Sequence, residues 1–371
     1  MQTPLAGQSI NTRSHEQGVE EFGRALDLLR AEIESDLGKK DLAHIERVRR
    51  LSHRLEVLGR GLIHFSIEPL SFGAGVLSLG IHKSLELMEI GHMVLHGAYD
   101  SLSEDEGLHS TRFEWKAPID EASWRTAHNV RHHQYTNIAG RDPDIDFGPL
   151  RLSPRLPYQT LHRLQPITNV LTWLTFATTI NVHATGLVDL YVRGASSPPN
   201  ILHDREPATA RTARRRFLSK AARYYGKELV FYPLLAGPFF WKVALGNVLS
   251  DVGRDLCAGA IIYCGHVGTT DYPEGTKAGS RAHWYAMQVE SARDVEMPLL
   301  LSILCGGLDK QIEHHLFPRF PPNRLREIAP RVKAVCESYG VNHRSASWSS
   351  TLLDVFRNLR SMSRPTAVAP D

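Results

Sequence analysis

Nineteen histidines are spread over 371 residues, and eight of them fall in short clusters with regular spacing. The first cluster reads Glu89-Ile-Gly-His92-Met-Val-Leu-His96, and the second reads Trp124-Arg-Thr-Ala-His128-Asn-Val-Arg-His132-His133. The third is Gln311-Ile-Glu-His314-His315-Leu-Phe-Pro318, and His266 closes a Tyr263-Cys264-Gly265-His266 string between the last two. Residues four apart on a helix lie one turn apart on the same face. His92 and His96 can therefore converge on one metal, as can His128 and His132. His133 is rotated by about 100° from His132 and points to a neighbouring position; His314 and His315 splay in the same way. A structural zinc site is complete with about four ligands. Eight candidate imidazoles suit two adjacent metals with open positions, a geometry matched to O2 chemistry at iron. Imidazole ligation without thiolates also accepts zinc, copper or nickel.

The remaining chemistry-bearing residues read as background. His64, His82 and His183 lie in or beside apolar blocks and are expected to be packed side chains, while His109, His162, His203, His283 and His343 read as surface or loop residues. The run Asp142-Pro-Asp144-Ile-Asp146 lacks the glycine and the final glutamate of a calcium loop, having Phe147 and Ser153 there. It reads as a polar turn whose carboxylates could accept from the outer nitrogens of ligating histidines. Cys257, Cys264, Cys305 and Cys336 form no CxxC pair, which argues against a zinc ribbon and a disulfide framework.

Helices must carry these clusters, and the composition allows for them. With 42% hydrophobic and 22% charged residues, disorder and fibrous repeats are excluded. A mean hydropathy of -0.25 excludes a transporter built almost wholly of apolar helices but leaves room for a few spans. The first dozen residues lack the pattern of a secretory signal, so no cleavage is expected. Residues 1–60 read as a polar helical segment, with Phe22, Leu26, Leu29 and Ile33 at helical spacing. Residues 61–345 would form the main domain, and 346–371 a tail that is partly disordered, from Ser361 onward.

Four apolar blocks lie in the main domain: Gly61–Ile81, Gln165–Val188, a two-part region starting at Leu229 and Leu256, and Leu299–Leu308. The first is interrupted by Glu68 and Pro69; the second is uncharged and long enough to cross a bilayer. Arg211, Arg214, Arg215, Arg216, Lys220, Arg223 and Lys227 lie between the second and third blocks, a placement favouring the cytoplasmic flank of a span over a nucleic-acid patch.

At the level of whole motifs, the three boxes resemble those of membrane-bound fatty acid desaturases, the GGL…QIEHHLFP string being the most specific part. HNVRHHQYTNIAGRDPDIDFGP and the CGHV around His266 extend the likeness from roughly Asp41 to His343, nearest to bacterial desaturases without a fused cytochrome b5. The resemblance implies an all-α fold, a membrane-embedded bundle of about four transmembrane helices under a cytosolic helical cap. It also implies two irons held by His92, His96, His128, His132, His133, His266, His314 and His315. Gln311 occupies the place where another branch has a further histidine, as an additional ligand or a water-holder. Met93, Ile262 and the Asp309-Lys310 pair depart from the usual pattern. The implied location is the bacterial cytoplasmic membrane with the site facing the cytoplasm.

The expected activity is O2-dependent removal of two hydrogens from a fatty acyl chain, presented as acyl-CoA or acyl-lipid. Electrons would come from a separate ferredoxin or flavin/iron–sulfur reductase, and no nucleic acid is expected as a partner. Hydroxylation at the same centre is the alternative within enzymes; a histidine-rich metal-binding or transport membrane protein is the alternative outside them.

Overall fold

The structure, a computed structural model, describes residues 6–193 and 199–365. It is helical apart from one short pair of parallel strands, β1 (Asp294–Glu296) and β2 (Ser345–Ser347). α1 (Ala6–Asp36) leads into α2 (Lys39–Phe65), where Asp41 reaches back to accept the Gly38 N–H at 2.9 Å. Phe22, Leu26, Leu29 and Ile33 of α1 are buried in one core with Ile45 and Val48 of α2. That core also takes Ile90 and Val94 of the first histidine cluster and Ile312 and Leu316 of the third. The polar N-terminal segment thus braces the histidine clusters from behind.

The first apolar block is not one rod. Glu68 accepts the N–H groups of Leu70 and Ser71, both at 2.6 Å, and with Pro69 it starts α3 (Pro69–Leu85). α2 and α3 form a hairpin whose backbones approach closely at Gly75, where a Cβ would stand 2.9 Å from the Ile63 nitrogen. The second block is broken into α4 (Gln165–Leu174) and α5 (Phe176–Ala184). Thr175 sits at the break with its hydroxyl bonded to the Leu171 carbonyl at 2.8 Å, a side-chain bond that competes with helix continuation. The basic stretch forms α6 (Pro207–Tyr225), with Arg211, Arg214, Arg215, Arg216 and Arg223 exposed. Lys220 leaves that face and is buried on Glu121 and the Trp115 carbonyl.

α7 (Phe240–His266) has the length to cross a bilayer, about 40 Å at 1.5 Å per residue, but carries Lys242, Asp251, Arg254 and Asp255. Among the described residues no helix is long and apolar enough to cross a membrane, so the four expected spans do not stand as separate apolar helices. The charges that break the pattern point inward. Lys83 bridges Glu228 at 2.9 Å and Asp251 at 2.8 Å, Arg60 meets Glu228 at 2.8 Å, and Arg254 meets Asp251 at 2.8 Å. Lys242 donates to the His64 and Ser66 carbonyls at 3.0 and 2.7 Å. Large apolar side chains remain outside: Phe65, Ile67 and Leu70 are 85, 99 and 84% exposed at the hairpin tip, around the exposed Glu68 and beside exposed Phe239, Phe240 and Trp241.

The rest of the chain closes over the site. α8 (Arg281–Glu290) packs on α1, α9 (Gln311–Leu316) carries the third cluster, and α10 (Pro322–Ser338) lies behind it. The C-terminal segment forms α11 (Trp348–Met362), with Val355 and Leu359 in the main core. Of the stretch from Ser361 onward that was expected to be disordered, Ser361 and Met362 instead close α11, and residues 366–371 lie outside the described residues.

Gly306, at φ 69°, turns the chain into α9, and a Cβ there would lie 2.5 Å from the Met88 carbonyl carbon, backbone against backbone. Gly306→Ala is therefore expected to destabilise by about 1–3 kcal/mol through its left-handed conformation and by a further ~1–3 kcal/mol through overlap. The check is the thermal midpoint of the detergent-purified protein. Gly61→Ala, with no neighbour within 4 Å, should leave that midpoint unchanged or slightly raised.

Candidate metal centre

Two of the three clusters sit on widened helical turns. The first continues α3 through a π-helical stretch, Glu86–His92, into Met93–Leu95. The second begins at Glu121–Trp124, capped by Asp120 accepting the Ser123 N–H at 2.9 Å, and continues as a π-helix over Arg125–His132. Such turns recur at functional sites because they shift which side chains face one direction. His266 is the last residue of α7, and His314 and His315 lie side by side on α9.

These pieces bring the eight histidines to one buried place. The ligand atoms of His92, His96, His128 and His314 lie within 4.8 Å of one another, and so do those of His132, His266 and His315. His92 Nε2 stands 3.2 Å from the Nε2 atoms of both His96 and His128; His133 Nε2 is 3.3 Å from His128 Nε2. In the other group, His315 and His266 approach to 3.0 Å through their Nε2 atoms. A metal at about 2.0–2.1 Å from each imidazole sets neighbouring nitrogens roughly 3.0–3.4 Å apart. The observed separations fall on that edge length, and His314 has both ring nitrogens buried without a hydrogen-bond partner. The residues present fit a metal site.

His128 and His132 each belong to one of the two histidine groups, and with Asp144 they also form a group of their own whose ligand atoms lie within 4.8 Å. Their rings are stacked 5.1 Å apart and inclined by 24° on the π-helical turn. His133 lies between the groups, stacked on His315 at 4.4 Å. His314 goes to one group and His315 to the other. Gln311 donates its amide Nε2–H to His266 Nε2 at 2.8 Å, placing its amide at the edge of the site.

A histidine offers a lone pair through Nε2 when its Nδ1–H is committed elsewhere. His132 Nδ1 lies 3.0 Å from both Asp142 oxygens, and His128 Nδ1 is 3.4 Å from Asp144. His315 Nδ1 faces Gln288 Oε1 at 3.0 Å, and His266 Nδ1 faces the Ser291 carbonyl at 3.2 Å. The Asp142–Asp146 run is thus a turn, as expected, with a short 3₁₀ segment at Pro143–Ile145 and two carboxylates directed at the histidines. Asp142 is itself fixed by the N–H groups of Asn137 at 2.7 Å and Asp144 at 2.8 Å.

Burial, reinforced by the neighbouring rings, pushes His92, His96, His133, His314 and His315 well below the ordinary histidine range. These imidazoles are neutral and available as ligands at neutral pH. His132 is the exception: burial opposes its charge, but Asp142 and Asp144 hold it up at about 9. A cation among the rings would meet the same two carboxylates.

Several participating residues carried no sequence signal. Gln288 and Thr136, both bonded to His315 Nδ1, come from separate parts of the chain and match no spacing rule. Glu89 is fully buried and joined to Arg326 at 2.6 Å and His44 at 2.7 Å, tying the first cluster to α10 and α2. Lys310 turns to Asp309 at 3.4 Å, and Asp309 accepts from Ser302 at 2.6 Å. His183 is buried 3.8 Å from Asp144, in keeping with a packed side chain. His162 and His343, by contrast, were expected on the surface or in loops and have buried side chains: His162 lies on a short 3₁₀ turn, Thr160–Leu164, with Nε2 3.1 Å from the Gly148 carbonyl, and His343 Nε2 lies 3.7 Å from Asp294.

An internal cavity of about 270 Å³ opens against this centre, touching His92, His128, His132 and His266. Its other walls are mostly apolar, including Leu87, Trp115, Ile119, Phe147, Phe176 and Ile180. Trp124 stacks on His128 at 4.5 Å and shields the metal side. Replacing Asp142 by Asn would keep the shape but remove the charge that orients His132. Metal retention should fall about 10–100-fold, read by chelator competition on the purified protein, while His203→Ala at an exposed position should have no effect.

Comparison with known proteins agrees with this geometry. The family described as Fatty acid desaturase matches residues 69–347. The NADPH-dependent stearoyl-CoA 9-desaturase of Mycobacterium tuberculosis is 31% identical over 359 residues, covering 94% of this chain and 80% of the relative. The sn-1 linoleoyl-lipid 6-desaturase of Arthrospira platensis is 25% identical over 276 residues, covering 72% of each chain. The family match covers most of the sequence and contains all eight clustered histidines. The chain belongs to the fatty acid desaturase family and is an oxidoreductase of fatty acyl chains.

Proposed function

We propose that this protein desaturates fatty acyl-CoA at two irons held by His92, His96, His128, His132, His133, His266, His314 and His315. The observation that carries the reading is the pair of adjoining Nε2 clusters facing one apolar cavity. Iron held there and reduced supplies the O2 activation needed to take two hydrogens from adjacent unactivated methylenes.

The protein's own residues bind, orient and exclude water. Asp142, Asp144, Gln288 and the Ser291 carbonyl keep the Nδ1 side of four histidines occupied, which directs their Nε2 atoms inward. Leu87, Ile119, Phe147 and Ile180 offer an acyl chain an apolar wall beside His92 and His128. Trp115 and Trp124 pack edge to face at 5.2 Å and close that wall towards the first cluster. Gln311, beside His266, is placed to hold a water or add a ligand at the centre's edge.

The acyl-CoA form of the substrate, and an NADPH-linked donor acting as a separate electron source, are supported by the name of the Mycobacterium tuberculosis relative. Attachment to the membrane is supported by the exposed, largely apolar tip formed by Phe65, Ile67, Leu70, Phe239, Phe240 and Trp241, where Glu68 is the exposed charge. The inward pairing of Lys83, Asp251 and Arg254 lets the outer faces of α3 and α7 meet lipid without exposing a charge.

Three measurements test the reading. Fatty acids from a host expressing the chain should contain a product two hydrogens lighter than its precursor, absent with His314→Ala; a product one oxygen heavier would move the assignment to hydroxylation. The purified protein should hold about two irons per chain. On fractionation the protein should pellet with membranes, resist high salt and alkaline carbonate, and dissolve in detergent. Release by salt alone would place it on the membrane through its basic helix α6 instead.

A further inference from the structure

A further set of side chains able to hold a metal lies apart from the clustered histidines and shares no residue with them. Asp294 of β1, Glu313 of α9 and His343 of the segment entering β2 have ligand atoms within 4.8 Å of one another. His343 Nε2 is 3.7 Å from Asp294 Oδ2 and 3.5 Å from Glu313 Oε1. The three side chains are buried, with His343 only 3% exposed and Glu313 not at all.

The hydrogen-bonding state of this group is unusual for a buried site. Apart from the neighbouring Asp294 carboxyl, with which Glu313 is in hydrogen-bonding reach, neither carboxylate oxygen of Glu313 and neither ring nitrogen of His343 has a hydrogen-bond partner among the described residues. Asp294 accepts the Ile312 N–H at 3.1 Å through Oδ1, which leaves Oδ2 turned towards His343. The neighbouring cation, Lys310, pairs with Asp309 at 3.4 Å. Two buried carboxylates side by side are costly unless neutralised. A proton shared between them would neutralise one and leave His343 facing the other at 3.5–3.7 Å, longer than a hydrogen bond. A divalent cation would neutralise both and use the imidazole lone pair.

We propose that Asp294, Glu313 and His343 bind a divalent cation of the zinc class, at a site distinct from the eight histidines. One imidazole and two carboxylates lie within the ligand set that zinc accepts, and no redox change is required of the ion. The parallel pairing of β1 and β2 sets Asp294 opposite Ser345, two residues after His343, so the strand register brings these ligands together. Glu313 completes the set from the helix that carries His314 and His315. The ion therefore clamps the third cluster to β1 and to the chain entering α11. This assignment rests on the three residues alone and is independent of whether the histidine clusters hold iron.

The test is metal content of the full chain purified in detergent without chelators, then dialysed against zinc and washed. The wild type is expected to keep about one zinc per chain and to gain thermal stability with zinc. His343→Gln and Asp294→Asn should each lower the zinc at least fivefold and abolish that gain while iron per chain is unchanged. Absence of zinc from the wild type, or equal zinc in the wild type and both variants, overturns the proposal. Should those variants not fold, zinc-edge X-ray absorption of the wild type decides. One imidazole with oxygen ligands supports the site, and three or more imidazoles place the zinc in the histidine clusters and overturn it. Zinc at this site in a protein without iron would refute the iron assignment alone.

Discussion

Everything in this fold answers to one constraint: eight imidazoles must be gathered out of water with their lone pairs facing one another. Nε2 atoms 3.0–3.3 Å apart cannot all carry protons, and burial keeps most of these rings neutral. Each neutral ring still has one N–H to place; the Nδ1 atoms of His92, His133 and His314 have no partner among the described residues, while four other rings are satisfied on the outer side. The turn at Asp142–Asp146, Gln288 on α8 and the Ser291 carbonyl meet that need for His132, His128, His315 and His266. Those acceptors come from segments far apart in the chain, so the metal site and the tertiary fold form together.

The same demand explains the polar interior of the helical bundle. Glu89 sits directly before the first cluster's metal-facing residues and is held by Arg326 and His44, which locks a π-helical turn to two other helices. Gly306 lets the third cluster's entry turn lie on the backbone of Met88, so that the first and third clusters share one rigid junction. Along α3 and α7 the charged residues pair inward through Lys83, Glu228, Asp251 and Arg254. Their mutual satisfaction is what allows an apolar exterior around a charged core. An acyl chain entering from lipid would pass from that exterior into a cavity whose walls are of the same character.

The polar groups around the third cluster extend this logic beyond the reaction centre. α9 is only six residues long, and a helix of that length has little stability of its own. It is fixed by Ile312 packing against α1 and α2, by the Asp294 bond to the Ile312 N–H, and by whatever neutralises Glu313. Placement of His314 and His315 therefore depends on contacts outside the histidine clusters.

The sequence by itself determined the chemistry. The His-x3-His spacings, the adjacent pairs at 132–133 and 314–315, and the 306–318 string identify the candidate metal-binding residues and the family, because those depend on residue type and local helical geometry. The helical pattern of Phe22, Leu26, Leu29 and Ile33 was equally legible, since one buried face repeats every turn. Only the tertiary structure decided how His128 and His132 divide between adjoining groups, which carboxylates stand behind them, and that the apolar blocks fold as hairpins and broken helices. Hydropathy averages over a helix, so it registers Lys83 and Asp251 as charges without showing that they face each other. Likewise, His343 read as a loop residue because its partners, Asp294 and Glu313, are 49 and 30 residues away in the chain and meet it only through the pairing of β1 with β2.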